Sequence, residues 1–169
     1  MTVRLERPDR IDDLPELEDI LREYLGPIAR GMDEVLGVPV VLDDMVTATL
    51  ANLDDYLPPK GVTILARDGR GTLAGTIFLK FHHPDTAEIK RLYVRPAARG
   101  TGLGRRLAEE IVETARVRGA TRVLLDTAPW LKAAQRLYAS LGFAFIDMYP
   151  ETENDPRVAP RLVFMELRF

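Results

Sequence analysis

Arg99-Gly100-Thr101-Gly102-Leu103-Gly104-Arg105 sets three glycines on alternate positions between two arginines, a composition suited to holding phosphate. The flanks give it meaning. Residues 88–94 alternate as a strand does, while Leu103, Leu107, Ile111, Val112 and Ala115 recur at helical spacing. The glycines therefore fall between a strand and the first turn of a helix. Backbone N–H groups lack partners there and the helix dipole is positive, so phosphate binds. Amides from Arg99 to Arg105 form the cradle, and the two guanidinium groups add charge-assisted bonds. The Lys-Ser/Thr pair of an ATP-binding P-loop is missing, and the G-x-G-x-G spacing differs from the dinucleotide pattern. A site for ATP or NAD is therefore the weaker reading.

Other side chains are of catalytic type. Strict alternation puts Glu88 on one strand face with Lys90, Leu92 and Val94. A carboxylate in that position is suited to take a proton, and enclosure in a cleft would raise its pKa toward neutrality. Asp126 and Thr127 end a short apolar segment. Asp126 is equally suited to anchoring a cationic substrate and to capping a helix begun at Pro129. His82 and His83 are adjacent, so a strand points them to opposite faces. No third ligand accompanies them and the chain has no cysteine, so no metal is expected; His82 stands as a candidate for a substrate cleft. Trp130 reads first as the anchor of a helix start, with packing on a cofactor arm as its rival.

The strand, the Arg-Gly-x-Gly-x-Gly turn and the helix together resemble the acetyl-CoA-binding segment of the GNAT family of N-acetyltransferases. Further on, Ala133-Ala134-Gln135-Arg136-Leu137-Tyr138-Ala139-Ser140-Leu141-Gly142-Phe143 resembles that family's A-x-x-L-Y-x-x-x-G-F segment. The likeness is sharp over roughly 80–150 and elsewhere rests on the order of elements. It implies an α/β fold, a twisted mixed sheet flanked by helices, with acetyl-CoA in a cleft where two parallel central strands splay. It implies acetyl transfer to a primary amine of a small molecule or peptide, by direct attack in a ternary complex. Arg99, Gly100, Thr101, Gly102, Leu103, Gly104 and Arg105 would then hold the pyrophosphate. The N–H of Val94, at a bulge near the strand end, would stabilise the oxyanion, with Leu92 the other backbone contact. Glu88 would be the general base, and Tyr138 the acid or hydrogen-bond donor at the thioester sulfur. The family often carries Asn seven residues before this tyrosine; Leu131 stands there, which leaves the cofactor to the turn and the strand backbone. Dimers through the C-terminal strands are common in the family. A non-catalytic acyl-CoA-binding module on the same fold is the alternative, indifferent to changes at Glu88 and Tyr138.

The whole chain agrees with such an enzyme. Its 169 residues read as one domain, 46% hydrophobic and 29% charged, with net charge −3. That charge argues against a nucleic-acid partner. There is no apolar run of membrane-spanning length and no apolar core of a signal peptide, so a cytoplasmic protein off the membrane is expected. Without cysteine, an acyl-cysteine intermediate is excluded. Residues 3–7 form a first strand, followed by a helix from about Ile11 carrying Leu14, Leu17, Ile20, Leu21 and Leu25 on one face. Residues 26–39 are hard to assign. A second helix spans 43–56, capped by Asp43 or Asp44. Strands 62–67 and 72–81 form a hairpin about Asp68-Gly69-Arg70-Gly71, and residues 82–85 turn into strand 88–94. A helix to Arg118, strand 122–126, a helix from Pro129 to Leu141, and strands 143–148 and 162–167 complete the order. Residues 151–160 form a long polar loop without a legible role.

Overall fold

The computed structural model describes residues 2–169. Seven strands form one sheet: β1 (Arg4–Glu6), β2 (Val62–Arg67), β3 (Leu73–His83), β4 (Thr86–Val94), β5 (Arg122–Thr127), β6 (Ala144–Ile146) and β7 (Val163–Arg168). Their spatial order is β1-β2-β3-β4-β5-β7-β6, with β4 and β5 the parallel pair and the rest antiparallel. Helices α1 (Leu14–Leu36) and α2 (Leu42–Ala51) lie toward one face. Helices α3 (Leu103–Val117) and α4 (Lys132–Ser140) pack on the other. Alternation sorts the strands: Ile64, Ile77, Ile89, Val123 and Leu125 meet α3, while Leu65 and Phe78 meet Leu17, Ile20 and Leu21 of α1.

The feature that makes a site is the parting of β4 from β5. Their ladder runs from Thr86 opposite Arg122 to Ile89 opposite Leu125 and stops, although both strands continue. On its other side β4 stays paired to β3 but slips: Phe78 faces Lys90 and Thr76 faces Tyr93. Arg91 and Leu92 thus share one partner position, a β-bulge, with Arg91 in the left-handed region at φ 56. One inserted residue reverses the alternation. Glu88 and Lys90 stay on the face of Phe78 and Leu124, while Leu92 and Val94 turn toward α3 and Tyr93 turns toward α1. This corrects the expectation that Glu88 and Val94 share a face.

The expected order of elements holds, with corrections at the helices. The unassigned residues 26–36 belong to α1, which continues through Gly26, Pro27 and Gly31 to a left-handed Gly37. An interior proline costs a helix roughly 3 kcal/mol. The buried stripe nevertheless runs on through Leu25, Ile28 and Met32, each worth about 1.5–3 kcal/mol when fully buried. Gly31 is required by close approach, since a Cβ there would lie 2.3 Å from the Trp130 ring. Trp130 therefore anchors its segment on α1. The second helix splits into α2 and a 3-10 turn at Leu53–Tyr56. Its cap is Val41, with Asp43 and Asp44 in the first turn. His82 and His83 belong to β3 and not to the turn. α4 begins at Lys132; Gln135 ties the preceding turn by donating to the carbonyls of Ala128 and Pro129. No described helix is long and apolar enough to cross a membrane.

Candidate active site

The glycine turn stands where expected. Gly100 and Gly102 have φ 75 and 83, conformations that L side chains avoid, and Gly102 is the residue from which α3 springs. Nothing lies within 4 Å of a Cβ built on either, so the space above the turn is open to a ligand. Gly104 lies inside α3 and borders the adjoining cleft. The Thr101 hydroxyl donates to the Ala98 carbonyl (2.7 Å) and closes the turn, leaving the backbone at 101 for a ligand. Arg99 donates to the Val94 carbonyl (3.0 Å) and lies over the Tyr93 ring; Arg105 donates to Ser140 Oγ (2.6 Å). Both arginines are exposed, free to swing to a phosphate. Gly102→Ala is expected to cost about 1–2 kcal/mol of stability through its left-handed φ. It should also weaken acetyl-CoA binding at least tenfold by calorimetry, because the new methyl group stands in the open space. Unchanged affinity would remove the turn from the site.

From the turn a largely apolar cleft of about 450 Å³ runs between Tyr24, Pro27 and Ile28 of α1, Leu92, Tyr93 and Val94 of β4, and Leu131, Ala134 and Leu137. It meets a smaller cavity of about 60 Å³ in the fork between the strands. Lys90, Arg91 and Leu92 of β4, Asp126 and Thr127 of β5, Tyr24 and Tyr138 line that cavity. The two spaces share Tyr24, Leu92, Leu131 and Ala134. Leu92, at the bulge, borders both; Val94 borders only the wider cleft. The bulge near the fork is thus at Arg91–Leu92 and not at Val94. Tyr138 is 4% exposed, its ring edge-on to Phe143 at 5.3 Å. Burial pushes its phenol pKa well above the ordinary value, and nearby Tyr24 and Asp126 add to the shift.

Behind the fork lies a buried polar chain. Lys90 Nζ bridges Glu88 Oε1 (2.6 Å) and Asp126 Oδ2 (2.7 Å). Tyr149 donates to Glu88 Oε1 at 2.6 Å and its hydroxyl lies 3.5 Å from Asp126; Asn154 Nδ2 donates to Asp126 at 3.0 Å. His82 Nε2 sits 2.7 Å from Glu88 Oε2. Glu88 is fully buried. Burial alone would raise its pKa, but His82, Lys90 and Tyr149 together hold it down at about 2. The expected rise toward neutrality is corrected: three partners stabilise the anion more than burial destabilises it. Asp126 caps nothing and faces the small cavity beside Lys90. His82 borders a separate space of about 610 Å³ with Lys80, His83 and Arg118, so the chain connects two cavities. Tyr24, Arg91, Tyr149 and Asn154 were not anticipated. Tyr24 falls within the apolar stripe of α1 and reads as core, and only the bulge turns Arg91 toward the fork.

Proteins named as acetyltransferases share this architecture and sequence. The family model described as acetyltransferase (GNAT) matches residues 16–143. A Schizosaccharomyces pombe protein named as an N-acetyltransferase is 35% identical over 164 residues, 92% of this chain and 88% of that one. Two crystal structures in complex with coenzyme A share the fold. The PaiA N-acetyltransferase of Thermoplasma acidophilum has TM-score 0.71 and 19% identity over 100% of both chains. An acetyltransferase of Bacillus subtilis has TM-score 0.66 and 23% identity over 99% of both. With its forked β4–β5 pair and the glycine turn at the mouth of the fork, the chain belongs to the GNAT family of acetyltransferases.

Proposed function

We propose that the protein transfers acetyl from acetyl-CoA to a primary amine held beside Asp126. The observation that carries this is the continuous path from the glycine turn, along the 450 Å³ cleft, to the 60 Å³ cavity where Leu92, Asp126 and Tyr138 meet. The turn amides with Arg99 and Arg105 hold the pyrophosphate, and the apolar cleft takes the pantetheine arm. The ammonium first gives one proton to Asp126, and the freed amine nitrogen attacks the thioester carbonyl carbon. The oxyanion accepts from the Leu92 N–H, a preorganised donor that needs no ionised side chain; Val94 binds the arm. The C–S bond then breaks as Tyr138 gives its phenol proton to the sulfur and takes the second proton from the nitrogen. With its raised pKa this phenol keeps its proton at neutral pH, which suits a donor.

The amine nitrogen sheds two protons. One ends on sulfur. The other passes to Asp126; Tyr149 takes it while giving its own to Glu88 Oε1, and the carboxyl turns to hand that proton to His82 at the second cavity, whose Nε2 accepts it in the tautomer protonated on Nδ1. Glu88 thus serves as the base of a relay and not as the resting place of the proton, in keeping with its low pKa. Acetyl-CoA is a metabolite of the cell interior, which supports a cytoplasmic place of action. β6 at the sheet edge, with Phe145 61% exposed, supports pairing with a second copy of the chain.

The test is an initial-velocity assay of CoA release with a panel of primary amines; a chain without cysteine adds no thiol background. Amine-dependent release with intersecting double-reciprocal lines is expected. Release that no amine accelerates would favour the non-catalytic acyl-CoA-binding module.

A further inference from the structure

Arg91 is the one cation of β4's fork end that the catalytic assignment leaves unused. Lys90 beside it is paired to Glu88 and Asp126, and Arg95 beyond it to Glu23. Arg91 has no carboxylate within 4 Å among the described residues. Its guanidinium is instead fixed from behind: Nε and Nη2 donate to Thr49 Oγ1 at 3.2 and 2.9 Å. Thr49 is 1% exposed and its hydroxyl donates in turn to the Met45 carbonyl (2.9 Å), so the support is rigid. One edge of a planar five-donor group is taken, and the Nη1–Nη2 edge remains for a bidentate oxygen ligand. The backbone beneath it is strained at φ 56, a state that persists where surrounding structure enforces it.

Its location decides what that ligand is. Arg91 borders both the 60 Å³ cavity and a second space of about 530 Å³ between α1, α2 and residues 153–158. Asp126 borders the same small cavity, so a cationic anchor and an anionic anchor flank the spot where the amine must stand. The acids around the larger space leave Arg91 unmatched: Glu153 pairs with Lys80, Asp155 with Arg157, and Asp44 lies exposed on the rim. Met32, Val40, Met45 and Val158 give that space an apolar side.

We infer that the acceptor is a free α-amino acid with an apolar side chain. Its ammonium meets Asp126, its carboxylate meets Arg91, and its side chain enters the 530 Å³ space. This deepens the proposed acetyl transfer and rests on it. The chemistry is that of a zwitterion, since both anchors line the one small cavity.

The experiment measures CoA release with L-leucine, L-methionine and L-phenylalanine, each beside its own primary amide, for the wild type, Arg91→Gln and Thr49→Val. At least one acid should exceed its amide in kcat/KM by tenfold or more. Arg91→Gln should bring that acid down to the level of its amide while the thermal shift produced by acetyl-CoA stays as in the wild type. Thr49→Val, which only loosens the support, should shrink the preference and covers the case in which Arg91→Gln does not fold. Amides used as well as acids, or a preference surviving both substitutions, would overturn the inference. So would a protein that acetyl-CoA stabilises but that acetylates none of the six compounds, a result that leaves the donor site standing. Failure of acetyl-CoA to stabilise the wild type would instead remove the donor reading, and this inference with it.

Discussion

Tyr138→Phe is expected to lower kcat roughly 100-fold, the lower end of what a positioned proton donor contributes. The KM for acetyl-CoA should stay within about threefold, because the turn and the β4 backbone bind the donor without the phenol. The substitution removes one oxygen from a ring otherwise packed among Ala134, Leu137 and Phe143, so the fold should be little affected. The raised phenol pKa adds a second expectation. No alkaline limb from Tyr138 should enter the pH–rate profile below pH 10, since the group does not ionise there. Unchanged turnover in the phenylalanine variant would reduce Tyr138 to a core residue.

Glu88→Gln carries the second large effect, on both turnover and stability. The relay loses the group that passes the proton to His82, so kcat should fall at least tenfold. For stability, the folded pKa of about 2 lies below the unfolded value near 4.3. The ionised carboxylate therefore stabilises the fold fully above about pH 5, and the contribution is lost as pH falls through the unfolded value toward 2. Its size is on the order of 3 kcal/mol. Urea midpoints should show the variant well below the wild type at pH 7, with the gap largely closed near pH 2–3. A gap independent of pH would contradict the ion-paired burial of Glu88.

Much of this was legible in the chain because it is local. The glycine turn announces itself through a period-2 segment before it and a 3.6-period segment after it, and both elements formed as read. The order of strands and helices followed from the same periodicities. What was hidden depends on neighbours. The bulge at Arg91–Leu92 is marked in residues 88–94 only by the consecutive polar pair Lys90-Arg91, and it falls where β4 stays paired to β3 while its ladder to β5 has stopped. From it follow three things the alternation misplaced: the face of Glu88 relative to Val94, the place of Leu92 at the fork, and the turning of Arg91 into the fork. Residues 26–39 resist assignment because local propensity disfavours glycine and proline in a helix, whereas burial of Ile28 and Met32 overrides it. The low pKa of Glu88 is not legible locally because Tyr149 lies 61 residues away and enters from the polar segment near the C-terminus. Asn154, in the loop without a legible role, reaches Asp126 in the same way.

The central claim is that the open turn and the forked strands form a working acetyl-CoA site. A thermal-shift titration with acetyl-CoA, free CoA and ATP side by side tests it most directly. A ligand that binds only the folded chain raises its stability by about 2.7 kcal/mol at 100 times its Kd. A rise in Tm with both CoA forms and none with ATP is the predicted result. No rise with acetyl-CoA at millimolar concentration, or an equal rise with ATP, would contradict it.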